Sequence, residues 1–319
     1  MVKVRRGYRS KNVEYRGAAR GGGGGLSGLP LPSGKGGKIG AGAGGMGLIG
    51  LLVIVAISVL GGGEGGLDVG GLGLDGGTAT GGTTGEAPER DEFYEAVFDD
   101  VQNTWIEIFD AAGEDYRIAR LVIFQDSVVT EGCGNASEAV GPFYCPADEK
   151  AYFDPDFFDE LDSRFGAPGD FAIAYVVAHE VAHHVQNVTD VSSDVRQRQQ
   201  GASQSVVNDL SIRLELQADC LAGVWAFEAS QRPRTLEGND NLLYLERGDL
   251  AEGLQAAEAV GDDSIQESMG ANVDPHKWNH GSAAQREAWL TLGMDTGNPA
   301  VCNDTFDERA SGIEIMPER

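Results

Sequence analysis

The sequence predicts an α+β fold that is mostly α-helical with a small β-sheet, preceded by a single transmembrane helix. Three observations predict it. Apolar residues recur at helical spacing through most of residues 89–319, a strand-like run stands at residues 117–124, and an uninterrupted apolar stretch covers residues 46–60. Residues 89–319 make a region of about 230 residues, which is long enough to bury a substantial core.

Composition divides the chain into four parts. We expect a basic, glycine-rich segment at 1–45, an anchor at 46–63, a glycine-rich linker at 64–88 and a folded domain at 89–319. Residues 1–45 hold nine of the 24 Lys and Arg but one of the 50 acidic residues, which leaves 15 basic and 49 acidic residues for the remainder. Such an acidic region repels polyanions, so we expect no nucleic-acid partner.

The apolar stretch MGLIGLLVIVAISVL predicts the anchor. With its glycine and alanine flanks it reaches the roughly 20 residues that span a bilayer, and no charge interrupts it. A cleaved signal peptide is the alternative, but its basic region would be unusually long and no A-x-A follows Leu60. The positive-inside rule predicts a single-pass protein of the cell membrane with a cytoplasmic N-terminus and an extracytoplasmic domain.

The four cysteines agree with an exported domain, where disulfides form. We favour the pairs Cys133–Cys145 and Cys220–Cys302 among the three possible connectivities. Four buried free thiols are the alternative. None of the spacings is that of a zinc ribbon.

The elements of the domain follow in order. A helix with apolar residues four apart begins near Arg90, and RIARLVIF predicts a strand. Residues 142–154 predict a second strand or a hairpin. Helices are then expected from Asp154, after Pro168, within residues 194–230, within 248–263 and within 280–294, where Ser282 and Gln285 have the spacing of a capping box.

The helix after Pro168 carries a candidate metal motif, with His179, Glu180 and His183 in the order H-E-x-x-H. Positions i and i+4 share a helix face, so both imidazoles can approach one ion, while the glutamate can hold a water beside it. FAIAYVVA is too short to span a bilayer, so the motif does not belong to an intramembrane protease.

A third metal ligand has to come from elsewhere in the chain. The pattern H-E-x-x-H-x-x-G-x-x-H is excluded because Gln186 and Thr189 stand at its last two positions. We therefore expect Glu215 in LELQADCLAGVWAF to be the ligand, with Asp219 one turn later accepting a hydrogen bond from a ligand histidine. The alternative is that both acidic residues lie on a solvated helix face.

Four segments together resemble the membrane-anchored neutral zinc metallopeptidases of bacteria: AHEVAHHVQ, LELQADCLAGVWA, GPFYCPADEKAYFD and HGSAAQREAW. SKNVEYRG, the glycine-rich stretches and the anchor resemble that family too, so the resemblance covers nearly the whole chain. It implies a zincin-like metallopeptidase domain with one zinc ion, held by His179, His183 and Glu215. It also implies that Glu180 is the catalytic base.

These residues predict hydrolysis of peptide bonds in exported or envelope proteins by a metal-activated water. His280 is the candidate stabiliser of the oxyanion, and His184 and His276 are expected outside the site. A substrate strand is expected to add to the segment AYFDP. The alternative function is a noncatalytic, metal-stabilised binding or scaffold protein, which would have no use for Glu180.

Overall fold

The computed structural model describes residues 1–16, 87–137, 141–165, 167, 169–246 and 248–306. This part of the chain is a mixed α+β structure, mostly helical with small sheets. Its helices are α1 (Ala87–Ala112), α2 (Asp156–Phe165), α3 (Asp170–Val188), α4 (Val191–Gln199), α5 (Gln204–Gln231), α6 (Asp249–Ala259), α7 (Asp262–Ser268) and α8 (Ala283–Thr296). Its strands are β1 (Lys3–Val4), β2 (Val13–Arg16), β3 (Arg120–Phe124), β4 (Ser127–Val129), β5 (Asn135–Ser137), β6 (Phe143–Cys145), β7 (Lys150–Phe153) and β8 (Leu243–Tyr244).

The largest sheet among the described residues has the strand order β2-β3-β7-β6. Strands β2, β3 and β7 are parallel, and β6 runs antiparallel to β7, which confirms the hairpin alternative for residues 142–154. Strand β7 is paired on both sides, so the expected substrate edge at AYFDP is wrong. Strand β6 is the edge of this sheet instead. Two smaller ladders join β1 to β8 and β4 to β5.

The first sixteen residues belong to the same folded unit as the helices. Strand β2 pairs with β3 over four residues, and β1 pairs with β8. Val2 is buried, Arg5 donates to the backbone carbonyl of Asn241 at 2.7 Å, and Tyr8 donates to Asp99 at 2.6 Å. The expectation that 1–45 is a segment apart from the domain is therefore wrong for residues 1–16. A strand cannot pair with β3 across a membrane.

The predicted anchor at 46–63 lies outside the described residues, and α1 begins at Ala87, within the predicted linker. No helix in the described ranges combines the length and the apolar character needed to cross a bilayer. Both disulfides favoured from the sequence are present, Cys133–Cys145 and Cys220–Cys302. Disulfides persist in oxidising compartments, so they point weakly to an extracytoplasmic location.

Helices α3, α5 and α8 form the core that positions the functional side chains. Helices α5 and α8 approach very closely at Gly223 and Gly293. A Cβ on Gly293 would lie 2.0 Å from the carbonyl oxygen of Cys220, so any side chain there would push the helices apart. The predicted capping box of Ser282 and Gln285 is confirmed and fixes the start of α8.

The pairing of β2 with β3 predicts that the N-terminus and the domain lie on the same side of the membrane. We expect Lys11→Cys and Glu267→Cys, both at exposed positions, to react equally with a membrane-impermeant maleimide in intact cells. The four native cysteines are in disulfides and give no background. Labelling after detergent lysis is the control for reactivity. Protection of one cysteine while the other is labelled would show that the N-terminal strands do not form in the cell.

Candidate metal centre

Three side chains from two helices converge at one point. His179 and His183 lie on α3 and Glu215 lies on α5, and one donor atom from each falls within 4.8 Å of the others. The Nε2 atom of His179 is 3.2 Å from Glu215 Oε2, and the Nε2 atom of His183 is 3.5 Å from Glu215 Oε1. The residues that the H-E-x-x-H motif and the E-L-Q-A-D segment singled out are thus brought together by the packing of α3 against α5.

Each imidazole is held from behind through its Nδ1 atom. The Nδ1 of His179 lies 2.8 Å from Asp219 Oδ1, and the Nδ1 of His183 lies 2.8 Å from Gln186 Oε1. An oxygen acceptor fixes the proton on Nδ1, which leaves the Nε2 lone pair available to a metal ion. Gln186 was not predicted as a partner, although its i+3 spacing from His183 on one helix was the available signal.

Gln186 is itself fixed by hydrogen bonds to α5. Its amide nitrogen donates to the carbonyl oxygen of Leu214 at 2.7 Å and to Gln217 Oε1 at 3.0 Å. The amide therefore cannot turn its nitrogen toward His183 without losing two bonds. These contacts fix the orientation of the second imidazole against the helix that carries Glu215.

Asp219 is the centre of a buried hydrogen-bond network. Its side chain is 0% exposed, so the alternative of a solvated helix face is wrong for this residue. Besides His179, it accepts hydrogen bonds from Tyr175 at 2.5 Å and from Arg286 Nε and Nη2 at 2.8 and 2.9 Å. Sequence reasoning missed Tyr175 and Arg286. Tyr175 precedes His179 by one helical turn, but no spacing linked Arg286 on α8 to the motif.

The charged groups around the site shift the pKa values of His179 and Glu215. Burial favours the neutral imidazole of His179, but Asp219 outweighs it and raises the pKa of His179 to about 9. Burial also opposes ionisation of Glu215, yet His183 and His179 lower the pKa of its carboxyl. Glu215 is therefore a carboxylate at neutral pH, and a divalent cation would replace the proton that the centre holds.

Glu180 lies beside this group in the same cleft. Its side chain is 7% exposed, and burial raises the pKa of its carboxyl despite the opposing charges of His183 and His179. A raised carboxyl pKa is the usual property of a glutamate that takes up and gives back a proton.

His280 enters the cleft from the loop before α8 and is 7% exposed. Its Nδ1 lies 3.0 Å from Asp262 Oδ1, and Asp262 Oδ2 accepts the backbone N–H groups of Asn279, His280 and Gly281. Burial lowers the pKa of His280, but Asp262 outweighs it and the net shift is upward. No described residue bonds its Nε2.

The remaining two histidines lie apart from the group, as expected. His184 joins α3 to the sheet, with Nδ1 2.8 Å from the Tyr144 hydroxyl and Nε2 2.5 Å from the carbonyl oxygen of Arg117. His276 is exposed in the short 3₁₀ turn Pro275–Lys277.

The donor set suits zinc. Two imidazole nitrogens and one carboxylate, open on the side of the cleft, make a three-ligand arrangement that catalytic zinc sites use with water as the fourth ligand. The cleft is lined on one side by the β6 hairpin, including Pro142, Phe143 and Tyr144.

Comparisons with known proteins also point to a zinc metallopeptidase family. A family model described as "Putative neutral zinc metallopeptidase" matches residues 2–306. The chain is 40% identical over 300 residues to the uncharacterized protein YpfJ of Escherichia coli K12, which covers 92% of this chain and 95% of that protein. It is 49% identical over 192 residues to the uncharacterized protein Rv2575 of Mycobacterium tuberculosis H37Rv, covering 60% and 63%. No solved structure matches the chain.

Replacement of Asp219 by Asn is expected to weaken zinc binding by about 10- to 100-fold, because the amide is a poorer acceptor for His179 and leaves Arg286 without its charge partner. Competition with a chromophoric chelator measures the zinc Kd. Glu287→Gln, one residue beyond Arg286 on α8, is the control and should leave the Kd unchanged. A folded Asp219→Asn protein with the wild-type Kd would remove Asp219 from the metal centre.

Proposed function

The chain belongs to the neutral zinc metallopeptidase family, and from this premise we propose that it is a zinc-dependent endopeptidase acting on exported or envelope proteins. The observation that carries the proposal is the position of Glu180. This buried carboxyl shares the cleft with the Nε2 atoms of His179 and His183 and with Glu215. A zinc site that served only to stabilise a fold or a binding surface would need no such group.

His179, His183 and Glu215 would hold one zinc ion per chain. A bound zinc ion lowers the pKa of its water and polarises the carbonyl of the scissile bond. Glu180 takes the proton of the attacking water and passes it to the departing amine. Asp219 and Gln186 keep the two imidazoles in the tautomer and orientation that this arrangement needs.

His280 supplies the second contact to the developing oxyanion. Because its Nδ1 faces Asp262, the neutral imidazole would present a bare Nε2, and only the protonated ring has an Nε2–H to donate. The charged groups that act on the ring are Asp262 on α7, Glu215 on α5 and Arg286 on α8; the two carboxylates favour the protonated form and Arg286 opposes it. The net upward shift of the His280 pKa extends the pH range over which this donor is present.

The substrate is a peptide strand that binds along β6. This strand is an edge of its sheet, paired with β7 alone, and its residues Phe143 and Tyr144 line the cleft, which supports pairing of its backbone with an extended chain. Both disulfides suit an extracytoplasmic enzyme. A single spanning helix at 46–63 would put residues 1–16 and the domain on opposite sides of the membrane, which the pairing of β2 with β3 contradicts. Attachment to the membrane is therefore not part of this proposal.

Glu180→Gln should retain zinc and lose hydrolysis of casein or a peptide library by about 100- to 10,000-fold, because the amide cannot accept the proton of the water. Zinc content and cleavage rate of the purified protein are measured together. If both proteins hold about one zinc ion and neither cleaves any peptide, the binding or scaffold alternative replaces the enzyme. If the variant cleaves as fast as the wild type, Glu180 is not the base.

His280→Gln should lower kcat by about 100- to 1,000-fold with little change in KM, because it removes a donor used mainly in the transition state. The wild-type kcat should fall at alkaline pH as His280 loses its proton, and the variant should lack that part of the profile. His276→Gln, at the exposed histidine, is the control. An equal loss in both variants, or an unchanged alkaline limb, would contradict the role of His280.

A further inference from the structure

We propose that the cleft selects substrates that carry a carboxylate, and that Arg196 is the residue that binds it. The proposal rests on the peptidase function, because it names a property of the substrate of the same cleft. It makes Arg196 a determinant of specificity that lies outside the metal group and the proton-transfer residues.

Arg196 lies on α4, the helix that directly follows the helix of the metal motif. Its side chain lines the cleft together with Ser192 and Gln199, which have the spacing of one helix face. Gln199 is held by hydrogen bonds to the carbonyl oxygen of Val207 and to Ser211, so this wall is anchored to α5. The guanidinium is therefore presented from a fixed helix rather than from a loop.

Arg196 makes no hydrogen bond or ion pair with the residues that the structure describes. Arg6, Lys11 and Arg234 share this property, but they are exposed and lie outside the cleft, whereas Arg196 is partly buried. A partly buried guanidinium is stabilised by a carboxylate, with which it forms paired, charge-assisted hydrogen bonds.

The absence of a partner is informative because the chain is so rich in acid. It has 50 acidic residues for 24 basic ones, and most described basic side chains have found a carboxylate, as Arg232 has in Asp100. At Arg196 none is supplied by the described residues. The complementary charge is then expected from the molecule that occupies the cleft.

The other residues that line the cleft favour an acidic over a basic side chain in the substrate. His179, His183 and Glu215 form the metal group, Glu180 is the proposed base, and Arg286 is bonded to Asp219. Apart from these residues, Arg196 and His280, the described lining of the cleft is uncharged, and several of its residues are apolar: Pro142, Phe143, Pro146, Phe157, Val176 and Val260. No described lining residue offers a free carboxylate to a basic substrate side chain. An acidic side chain with an apolar neighbour can instead bind the guanidinium of Arg196 and the apolar residues of the cleft.

The carboxylate could be an acidic side chain or the C-terminus of a peptide. The test therefore uses quenched fluorescent peptides that differ at one scanned position, with Glu, Gln or Lys, each made with a free acid or an amide at its C-terminus. Cleavage by the zinc-loaded full-length chain is compared with that by Arg196→Gln and Arg196→Glu. Arg198→Gln is the matched control, because Arg198 lies on the same helix but pairs with Asp194.

The wild type should prefer the Glu peptide, or the free-acid peptide, over its uncharged counterpart by about tenfold in kcat/KM, since a charge-assisted hydrogen bond is roughly twice as strong as a neutral one. Arg196→Gln should lose that preference, Arg196→Glu should turn it toward Lys, and Arg198→Gln should keep it. Dependence on the scanned side chain identifies an internal acidic residue, and dependence on the free acid identifies the C-terminus. A preference that survives in Arg196→Gln, or is missing from the wild type, overturns the proposal.

Failure of the peptidase function gives a different result. If no peptide is cleaved by any variant, anisotropy of the same peptides, labelled, is measured on the zinc-loaded wild type and on Arg196→Gln. Tighter binding of the Glu or free-acid peptide to the wild type alone would keep Arg196 as the carboxylate site of a binding protein. Equal or absent binding would overturn that role as well.

Discussion

A single buried carboxylate, Asp219, is the constraint on which the metal centre depends. It accepts hydrogen bonds from His179 on α3 and from Arg286 on α8, so it joins three helices at one point. Removing one partner of such a buried ion pair costs about 3–5 kcal/mol. The bonds of Asp219 therefore hold the three helices at the separation that these bonds require. Gly223 and Gly293 make that separation possible, because any larger residue would keep α8 away from α5.

The cleft contains two carboxylate–histidine pairs that are built alike and used differently. Asp219 holds the Nδ1 of His179, and Asp262 holds the Nδ1 of His280. In the proposed mechanism the Nε2 of His179 offers a lone pair to zinc, whereas the Nε2 of His280 offers a proton to the oxyanion. The neighbours decide between the two uses. The Nε2 of His179 lies 3.2 Å from the carboxylate of Glu215, whereas His280 lines the cleft and its Nε2 has no hydrogen-bond partner among the described residues.

The N-terminal strand β2 and the cleft lie at opposite edges of the largest described sheet. Strand β2 adds to β3 at one edge of the sheet, and β6 forms the opposite edge, where it lines the cleft. Of the two edge strands of this sheet, β6 contributes residues to the described lining of the cleft and β2 does not, so β6 is the edge proposed for a substrate strand. The pairing of β2 with β3 joins residues 1–16 to the domain that follows residue 86. The order of a basic segment, an apolar stretch and an acidic domain had predicted a separate N-terminal segment, because that order carries no information about strand pairing.

The sequence by itself determined the local features of this protein. H-E-x-x-H on a helix requires that His179 and His183 share a face. Amphipathic helices, the capping box and the hairpin likewise depend on residues that are close together in the sequence. Partners that lie far apart in the chain were decided by the tertiary structure alone. Arg286 and Asp262 are ordinary charged residues until helix packing sets one against Asp219 and the other against His280. Strand β2 is a short polar segment whose partner is about a hundred residues away, and no local pattern encodes such pairing.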